Sequence, residues 1–468
     1  MYSLSEQKNC SNLQCLKKRS IYRILRKALY FLLPLLLLLA CAIRRNDATP
    51  FAETVYYKET VNSLQQHRPI ISEADTLQVG WAKISITPPP PFPLAGYGKR
   101  LGKAYTEVHD SAYVRTFAFN NGKQEAYLVA LDLLITPMTL TKALEAASIK
   151  AGLKPEQLYL SATHTHTSFG GWGENLMGWV MAGKYSQEQV NSTADQIIQS
   201  IKLAKANAQT AKVGYGKAIA GHLVGNRLNG EEAVRDTTVR FIKFEQADGD
   251  VAVLATFSAH ATVLPSKQQI LSRDYPGALV TALEKQVDFA AFSAGAVASH
   301  RPVYQHGDTF ISVDSMGNQL ARVILPELPK VSMDYSYKLG YNRLPLLLPD
   351  PEWRIGDNYH LAPWLFYNLF GKYPSFVTSL QIGDIILAGA PADYSGEFLP
   401  QLEQQASQQN QKLIVTGFNG GYMGYLLPSR HYNLDAYEAR GMNFYGRWGG
   451  DYLTAIFKKV IQAHQNNK

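Results

Sequence analysis

Short runs dense in Val, Ile, Leu, Ala and aromatic residues recur along the chain: 126–134 (AYLVALDLL), 158–162 (LYLSA), 251–257 (VAVLATF), 289–293 (FAAFS), 382–389 (IGDIILAG) and 413–418 (LIVTGF). Continuous apolar runs of this length fit strands buried on both faces. Stretches with helical spacing alternate with them, at 139–151, 186–206 and 395–408. The second opens on Ser186 with Gln189 three residues later, a capping-box pattern. The alternation predicts an α/β (mixed α+β) fold: a single large domain over residues 78–468 with mixed sheets flanked by helices. There is no internal repeat, and Pro88 to Pro91 form the one low-complexity tract.

A different pattern occupies the front of the chain. Residues 28–43, ALYFLLPLLLLLACAI, form an apolar run of 16 residues. Residues 1–27 before it are basic (Lys17, Lys18, Arg19, Arg23, Arg26, Lys27), and Arg44 and Arg45 follow it. A spanning helix wants about 20 apolar residues, with a lower bound near 17, and flanking arginines can snorkel. Three readings fit: a membrane-anchor helix, a cleaved signal peptide, or a lipoprotein signal attaching at Cys41. All three put the folded part outside the cytoplasm, with the basic end inside. Residues 44–77 read as a polar helical stalk.

The 468-residue chain is 46% hydrophobic and 18% charged, an ordinary globular composition. Its net charge of +8 is concentrated around the apolar run, so the excess marks membrane topology. Without a basic stripe on the folded part, no nucleic-acid partner is expected; no protein partner is evident either. The three cysteines, Cys10, Cys15 and Cys41, all lie before residue 42. A disulfide framework and a thiolate metal site are both excluded from the body. A metal there needs His, carboxylate or Tyr.

The chemistry gathers where strands end. LYLSA runs into THTHTSFGG, VAVLATF into SAHATV, IILAGA into PADYSG and LIVTGF into NGGYMGYLLPSRHY. Loops leaving the ends of sheet strands are the usual seat of sites in such folds. His164 and His166, two apart on an extended run, would share a face and could bind a metal together or divide the work between metal and substrate. A pair of satisfied polar histidines fits the same spacing. His260, among Ser258, Ala259, Ala261 and Thr262, has room for a ligand, although a hydrogen-bonded core histidine would look the same.

These segments together resemble the neutral/alkaline non-lysosomal ceramidases. GWAKISITPPPPFPLAGYGKR is similar to that family's opening "GxxxxDIT…GY" segment, with Ser85 where Asp is usual. SATHTHTSFGG is similar to "ATHTHSGPGG", with Phe169 in place of the proline, and GNRLNG to "NRSP". FSAHATVLPSKQQILSRDYPG resembles the segment around the second zinc histidine, and GYMGYLLPSRHYNLDAYEARGMNFYG the "YxGYxTTxxEYxxxxYEGxxTxFG" stretch. GAVASH (295–300) stands where the family has "GDVSPN", so Ser299 is the serine nearest that position. The resemblance covers roughly residues 78 to 455, without the family's C-terminal immunoglobulin-like domain.

The resemblance implies a zinc ion held by His164, His260, Asp393 and Tyr425, Asp393 standing where the family has Glu, with Glu397 as the alternative carboxylate. It implies that His166, Arg227 and Tyr437 face the substrate amide: His166 suits proton transfer best, and the developing oxyanion meets the zinc, with His166, Arg227 or Tyr437 as the candidate donors. Asp274 is expected either to orient His260 or to cap a loop. The implied activity is zinc-dependent hydrolysis of the amide bond of a ceramide-like N-acyl lipid by a membrane-anchored, extracytoplasmic enzyme. The alternatives are hydrolysis of another amide or ester, or a catalytically inactive membrane-tethered binding protein.

Overall fold

The structure is a computed structural model that describes residues 26, 27, 30, 41–230 and 233–465. Two sheets form its centre. The larger, nine-stranded sheet runs in the order Phe289–Ala294, Val251–Phe257, Thr238–Gln246, Gln209–Ile219, Gln78–Ser85, Tyr113–Asn120, Glu125–Leu131, Leu158–Ala162, with Asp334–Tyr335 paired to Gln209–Ile219. Most neighbours are antiparallel, but the two outermost pairs are parallel. A parallel pair needs a crossover, and the helices Met138–Lys150 and Asp274–Leu283 supply them. The two edges of this sheet meet: Ser161 Oγ lies 2.6 Å from Ser293 Oγ. The second sheet has the order Ile70–Glu73, Lys338–Leu346, Ser375–Ile382, Ile385–Gly389, Lys412–Thr416. Its last pair is again parallel, crossed by the helix Leu399–Gln408.

One core lies between the sheets, built from Phe117, Leu128, Phe244 and Leu254 on one side and Leu380, Leu387 and Ile414 on the other. The four helices that cover the outer face of the larger sheet include the 20-residue Gln187–Ala206. Leu399–Gln408 and Gly449–Gln465 cover the smaller sheet. Glu125–Leu131, Leu158–Ala162, Val251–Phe257, Phe289–Ala294, Ile385–Gly389 and Lys412–Thr416 are therefore buried on both faces along almost their whole length, which accounts for their unbroken apolar runs. The mixed α/β domain expected from the sequence is the fold observed.

Several expectations change. The run at 382–389 is the end of one strand and the whole of the next, because Gly383 at φ +62° turns the chain between them. Ser186 does cap its helix, accepting from Gln189 N at 3.2 Å, but the Gln189 amide bonds Thr193 instead of reaching back. Residues 44–77 are not a stalk. Ile43–Arg45 pairs with Tyr359–Leu361, and Ile70–Glu73 is a strand of the smaller sheet. The helix Val55–Gln66 lays Tyr57, Val61 and Leu64, one helical stripe, on the core beneath the C-terminal helix. The apolar run at 28–43 lies almost entirely outside the described residues; among those described, no helix is long and apolar enough to cross a membrane.

Candidate metal centre

Three strand ends converge on one point. Tyr159 Oη bonds Thr416 Oγ1 at 2.6 Å, and Gly417 N bonds the Ala294 carbonyl at 2.9 Å. The strands Leu158–Ala162, Lys412–Thr416 and Phe289–Ala294 thus release their loops side by side. His260 joins from the end of Val251–Phe257, the neighbour of Phe289–Ala294 in the sheet.

The two histidines of THTH do not meet by strand alternation. The strand stops at Ala162, and His164 sits at φ +61° in the left-handed region. Such a conformation is costly for a residue with a Cβ and persists where the surroundings impose it. Here a stack imposes it: the His164 ring lies 3.8 Å from that of Phe418, itself at φ +64°, with 8° between planes. The turn brings His166 round so that its Nε2 is 3.1 Å from His164 Nε2. The loop with Gly96 passes close by. A Cβ on Gly96 would fall 2.6 Å from the His166 backbone, so only glycine allows that approach.

Each imidazole is oriented in the same way. His164 Nδ1 donates to the Leu134 carbonyl at 2.7 Å, His166 Nδ1 to that of Gly96 at 2.9 Å, and His260 Nδ1 to that of Val297 at 3.1 Å. With the proton on Nδ1, all three Nε2 atoms keep their lone pairs. The candidate ligand nitrogens lie within 4.8 Å of one another, with His164 and His260 buried and His166 half-buried, and the His164 and His260 ring centres are 4.6 Å apart. Burial pushes His164 down to about 3 and holds His166 and His260 well below the ordinary histidine value. All three are neutral, the form that ligates a cation.

Two oxygens complete the cluster. Asp393 and Tyr425 are register partners in a two-stranded parallel pair, which sets their side chains next to each other. Asp393 Oδ1 is 3.5 Å from His164 Nε2 and 3.3 Å from His260 Nε2. With the imidazole protons on Nδ1, neither contact is a hydrogen bond, and Oδ1 is a buried oxygen without a partner. Tyr422 Oη donates to the other oxygen, Oδ2, at 2.8 Å. Tyr425 Oη lies 3.0 Å from His260 Nε2. Burial pushes the fully enclosed Asp393 carboxyl up to about 7. The lone pairs of His164 and His260 Nε2 repel a charged Asp393 Oδ1, a repulsion that a proton on the carboxyl or a metal cation between them relieves. Nitrogen and oxygen donors of this kind suit a borderline metal, so the residues present fit one.

The remaining candidates divide. Arg227 reaches the cluster: Nη1 pairs with Glu438 at 2.6 Å, and Nη2 rests against the His260 ring, 2.5 Å from Nδ1 and 3.0 Å from Nε2. Its backbone N bonds the Ser299 carbonyl. Tyr437 is 59% exposed at the mouth, its ring 6.3 Å from that of Tyr425. Glu397 is elsewhere, bonded to Arg430, Asn226 and His431. Ser299 Oγ bonds Ser395 Oγ at 2.7 Å and His300 at 3.1 Å. Asp274 caps a loop, accepting from Leu264 N and Tyr275 N, and does not touch His260, whose Nδ1 is taken by Val297. The GAVASH loop serves the site through the backbone carbonyls of Val297 and Ser299, which a residue of any type supplies.

Sequence reasoning missed Tyr422, Glu438 and Phe418. The first two stand beside residues already singled out, in GYMGY and AYEAR; only a contact reveals their roles. Nothing in the letters marks Phe418 as a stacking partner.

Residues 77–311 match the family described as neutral/alkaline non-lysosomal ceramidase, N-terminal. The neutral ceramidase of Pseudomonas aeruginosa is 26% identical over 200 residues, 39% of this chain and 30% of that protein. The neutral ceramidase of Mycobacterium tuberculosis is 21% identical over 224 residues, 43% of this chain and 34% of that protein. The aligned stretches thus span about a third of these relatives. The crystal structure of the Pseudomonas aeruginosa neutral ceramidase shares the fold, with a TM-score of 0.71 at 18% identity over 83% of this chain and 74% of that one. His164, His166, Arg227 and His260 fall within the matched family segment, while Asp393, Tyr425 and Tyr437 fall beyond it. The chain belongs to the neutral/alkaline non-lysosomal ceramidase family.

Proposed function

We propose that the chain is a zinc-dependent hydrolase that cleaves the amide bond of a ceramide-like N-acyl lipid, releasing a fatty acid and a sphingoid amine. The observation that carries this reading is Asp393 Oδ1, buried without a partner and facing the Nε2 atoms of two neutral histidines. His164, His260, Asp393 and Tyr425 would hold the ion. When bound, zinc supplies Lewis acidity that polarises a carbonyl and makes water nucleophilic near neutral pH.

The chain's own groups do the rest. His166, half-buried and held at Nδ1 by Gly96, keeps an Nε2 lone pair that can take a proton from water and pass it to the departing amine. Arg227, its orientation fixed by Glu438, places guanidinium N–H donors beside the centre for the oxygen that gains charge. Tyr437, at the mouth, offers a hydroxyl to the same substrate. Water adds to the acyl carbon, the C–N bond breaks, and the nitrogen takes the proton. The fold likeness and the two neutral ceramidases among the relatives support the substrate class.

The test is metal analysis of the full chain together with hydrolysis of a panel of N-acyl amides and esters, with and without chelator. About one zinc per chain and chelator-sensitive amide cleavage are expected. Hydrolysis that persists after the metal is removed would refute the zinc role, and esters cleaved in place of amides would refute the bond assignment.

A further inference from the structure

The mouth of the centre is bordered by two short helices. Leu176–Ala182 rests on the loop that holds His166: Gly96 N bonds the Met181 carbonyl at 3.2 Å, and the Tyr97 ring is 4.9 Å from that of His166. Pro363–Phe370 packs beside Leu176–Ala182. Trp353 packs on Phe370 and donates to the Gly441 carbonyl, next to the Tyr437–Arg440 turn. The helices join through Asn175 Nδ2, which donates to the Phe370 carbonyl at 2.6 Å.

This border turns large apolar side chains to water. Leu101, Leu176, Trp179, Ile355, Tyr359 and Trp364 are between 46% and 57% exposed. Leu101 adopts φ +51°, an unfavourable backbone for a leucine, with more than half its side chain uncovered. Scattered exposed apolar residues need no explanation; a clustered set around one opening does. Interspersed with them are the exposed cations Lys99, Lys103, Lys184 and Lys372. Tryptophan, leucine and lysine together are the composition of surfaces that settle at a lipid–water interface.

The chain's apolar front end arrives at this same border. Trp364 Nε1 donates to the Cys41 carbonyl at 3.4 Å, and Ala362 N to that of Ala42 at 2.7 Å. Ile43–Arg45 then pairs with Tyr359–Leu361. Residues 28–40 are apolar but for Tyr30. A bilayer that takes up this run reaches Cys41 and therefore lies against Trp364.

We propose that this border is a membrane-docking surface, seated on a phospholipid bilayer with an anionic component so that the mouth of the centre opens onto the lipid. Its catalytic consequence, delivery of a membrane-embedded substrate, rests on the amidase reading above; the docking itself does not.

The test uses the full chain reconstituted on vesicles of phosphatidylcholine with phosphatidylserine, their acyl chains brominated. Residues 1–80 contain no tryptophan, so quenching of tryptophan emission reports on the body alone. Quenching is expected in the natural chain and loss of most of it in the Trp179→Gln/Trp364→Gln double variant. An unquenched natural chain, or quenching unchanged in the double variant, overturns the proposal; the former would make the border a site for a protein. In parallel, hydrolysis of a long-chain N-acyl lipid in the vesicle should fall about tenfold in the double variant, with a water-soluble short-chain amide cleaved at the natural rate. Equal loss on both substrates would point to damaged folding and count against docking. Hydrolysis of neither by the natural chain would refute the amidase reading while the quenching still decides docking.

Discussion

Asp393 and Glu397 leave the same strand end four residues apart, and both are buried carboxylates. Glu397 lies among donors: Arg430, Asn226 and the His431 ring. Asp393 has one donor, Tyr422, on one oxygen; the other oxygen faces two imidazole nitrogens, those of His164 and His260, that have no proton to give. A buried carboxylate surrounded by donors is part of the architecture. One that faces acceptors is unfavourable in its charged form, and a bound proton or a metal cation relieves it. The difference separates the two candidate carboxylates by chemistry, where spacing along the chain could not.

The sharpest way to break this comparison is to remove each carboxylate in turn. Asp393→Ala should lose bound zinc and reduce turnover by about 10³-fold or more, with the fold retained. Glu397→Ala should keep one zinc per chain but lose about 3 kcal/mol of stability in denaturant unfolding, because His431 and Arg430 are left without their anion. Reversed results, with zinc lost from the Glu397 variant alone, would move the ligand role.

Two arginines extend the contrast. Arg227 sits among the acceptors and is held by Glu438; Arg430 closes on Glu397 from outside, its side chain 58% exposed. Arg227→Lys keeps the charge but loses the planar fork, so kcat should fall by about 10²-fold with metal content unchanged. Arg430→Gln should leave kcat alone and cost less than about 1 kcal/mol. Tyr422→Phe is a subtler intervention. It frees the second Asp393 oxygen, and zinc affinity in a competition titration should fall by about tenfold or somewhat more. An unchanged affinity would show that the backbone pairing of Asp393 with Tyr425 orients the carboxylate by itself.

Much of this was legible in the letters. Strands buried on both faces announce themselves as apolar runs, and Leu158–Ala162 and Val251–Phe257 have the ends their sequence predicts. The loops that follow them hold His164 and His260, and the segments after Ile385–Gly389 and Lys412–Thr416 hold Asp393 and Tyr425. What was not legible depends on the third dimension. His164 and His166 share a point because a Phe418 stack holds His164 in a left-handed conformation, which alternation along a strand cannot foresee. The helix Val55–Gln66 looked like a polar stalk because its apolar stripe is narrow and needs the C-terminal helix to give it meaning. Asp274 could have oriented His260, and only the loop path sends it to backbone amides instead.

The smallest expected effect concerns acid. The His431 bond, with Arg430 and Asn226 beside it, outweighs burial and holds Glu397 below its ordinary value of 4.5. A carboxyl lowered on folding adds stability that is present above 4.5 and is lost as pH falls through the lowered value. Asp393 in the metal-free protein has the opposite sign: raised to about 7, its ionisation opposes folding as pH climbs, and acid relieves it. Urea unfolding of the metal-free chain, followed from neutral pH down through the carboxylate range, should therefore show a steeper acid loss in the natural protein than in Glu397→Gln. Asp393→Asn should remove the opposing slope at higher pH and leave the acid limb in place. Parallel acid limbs in the natural protein and Glu397→Gln would mean that the donors around Glu397 do not favour its charged form, and the distinction drawn between the two carboxylates would lose its electrostatic basis.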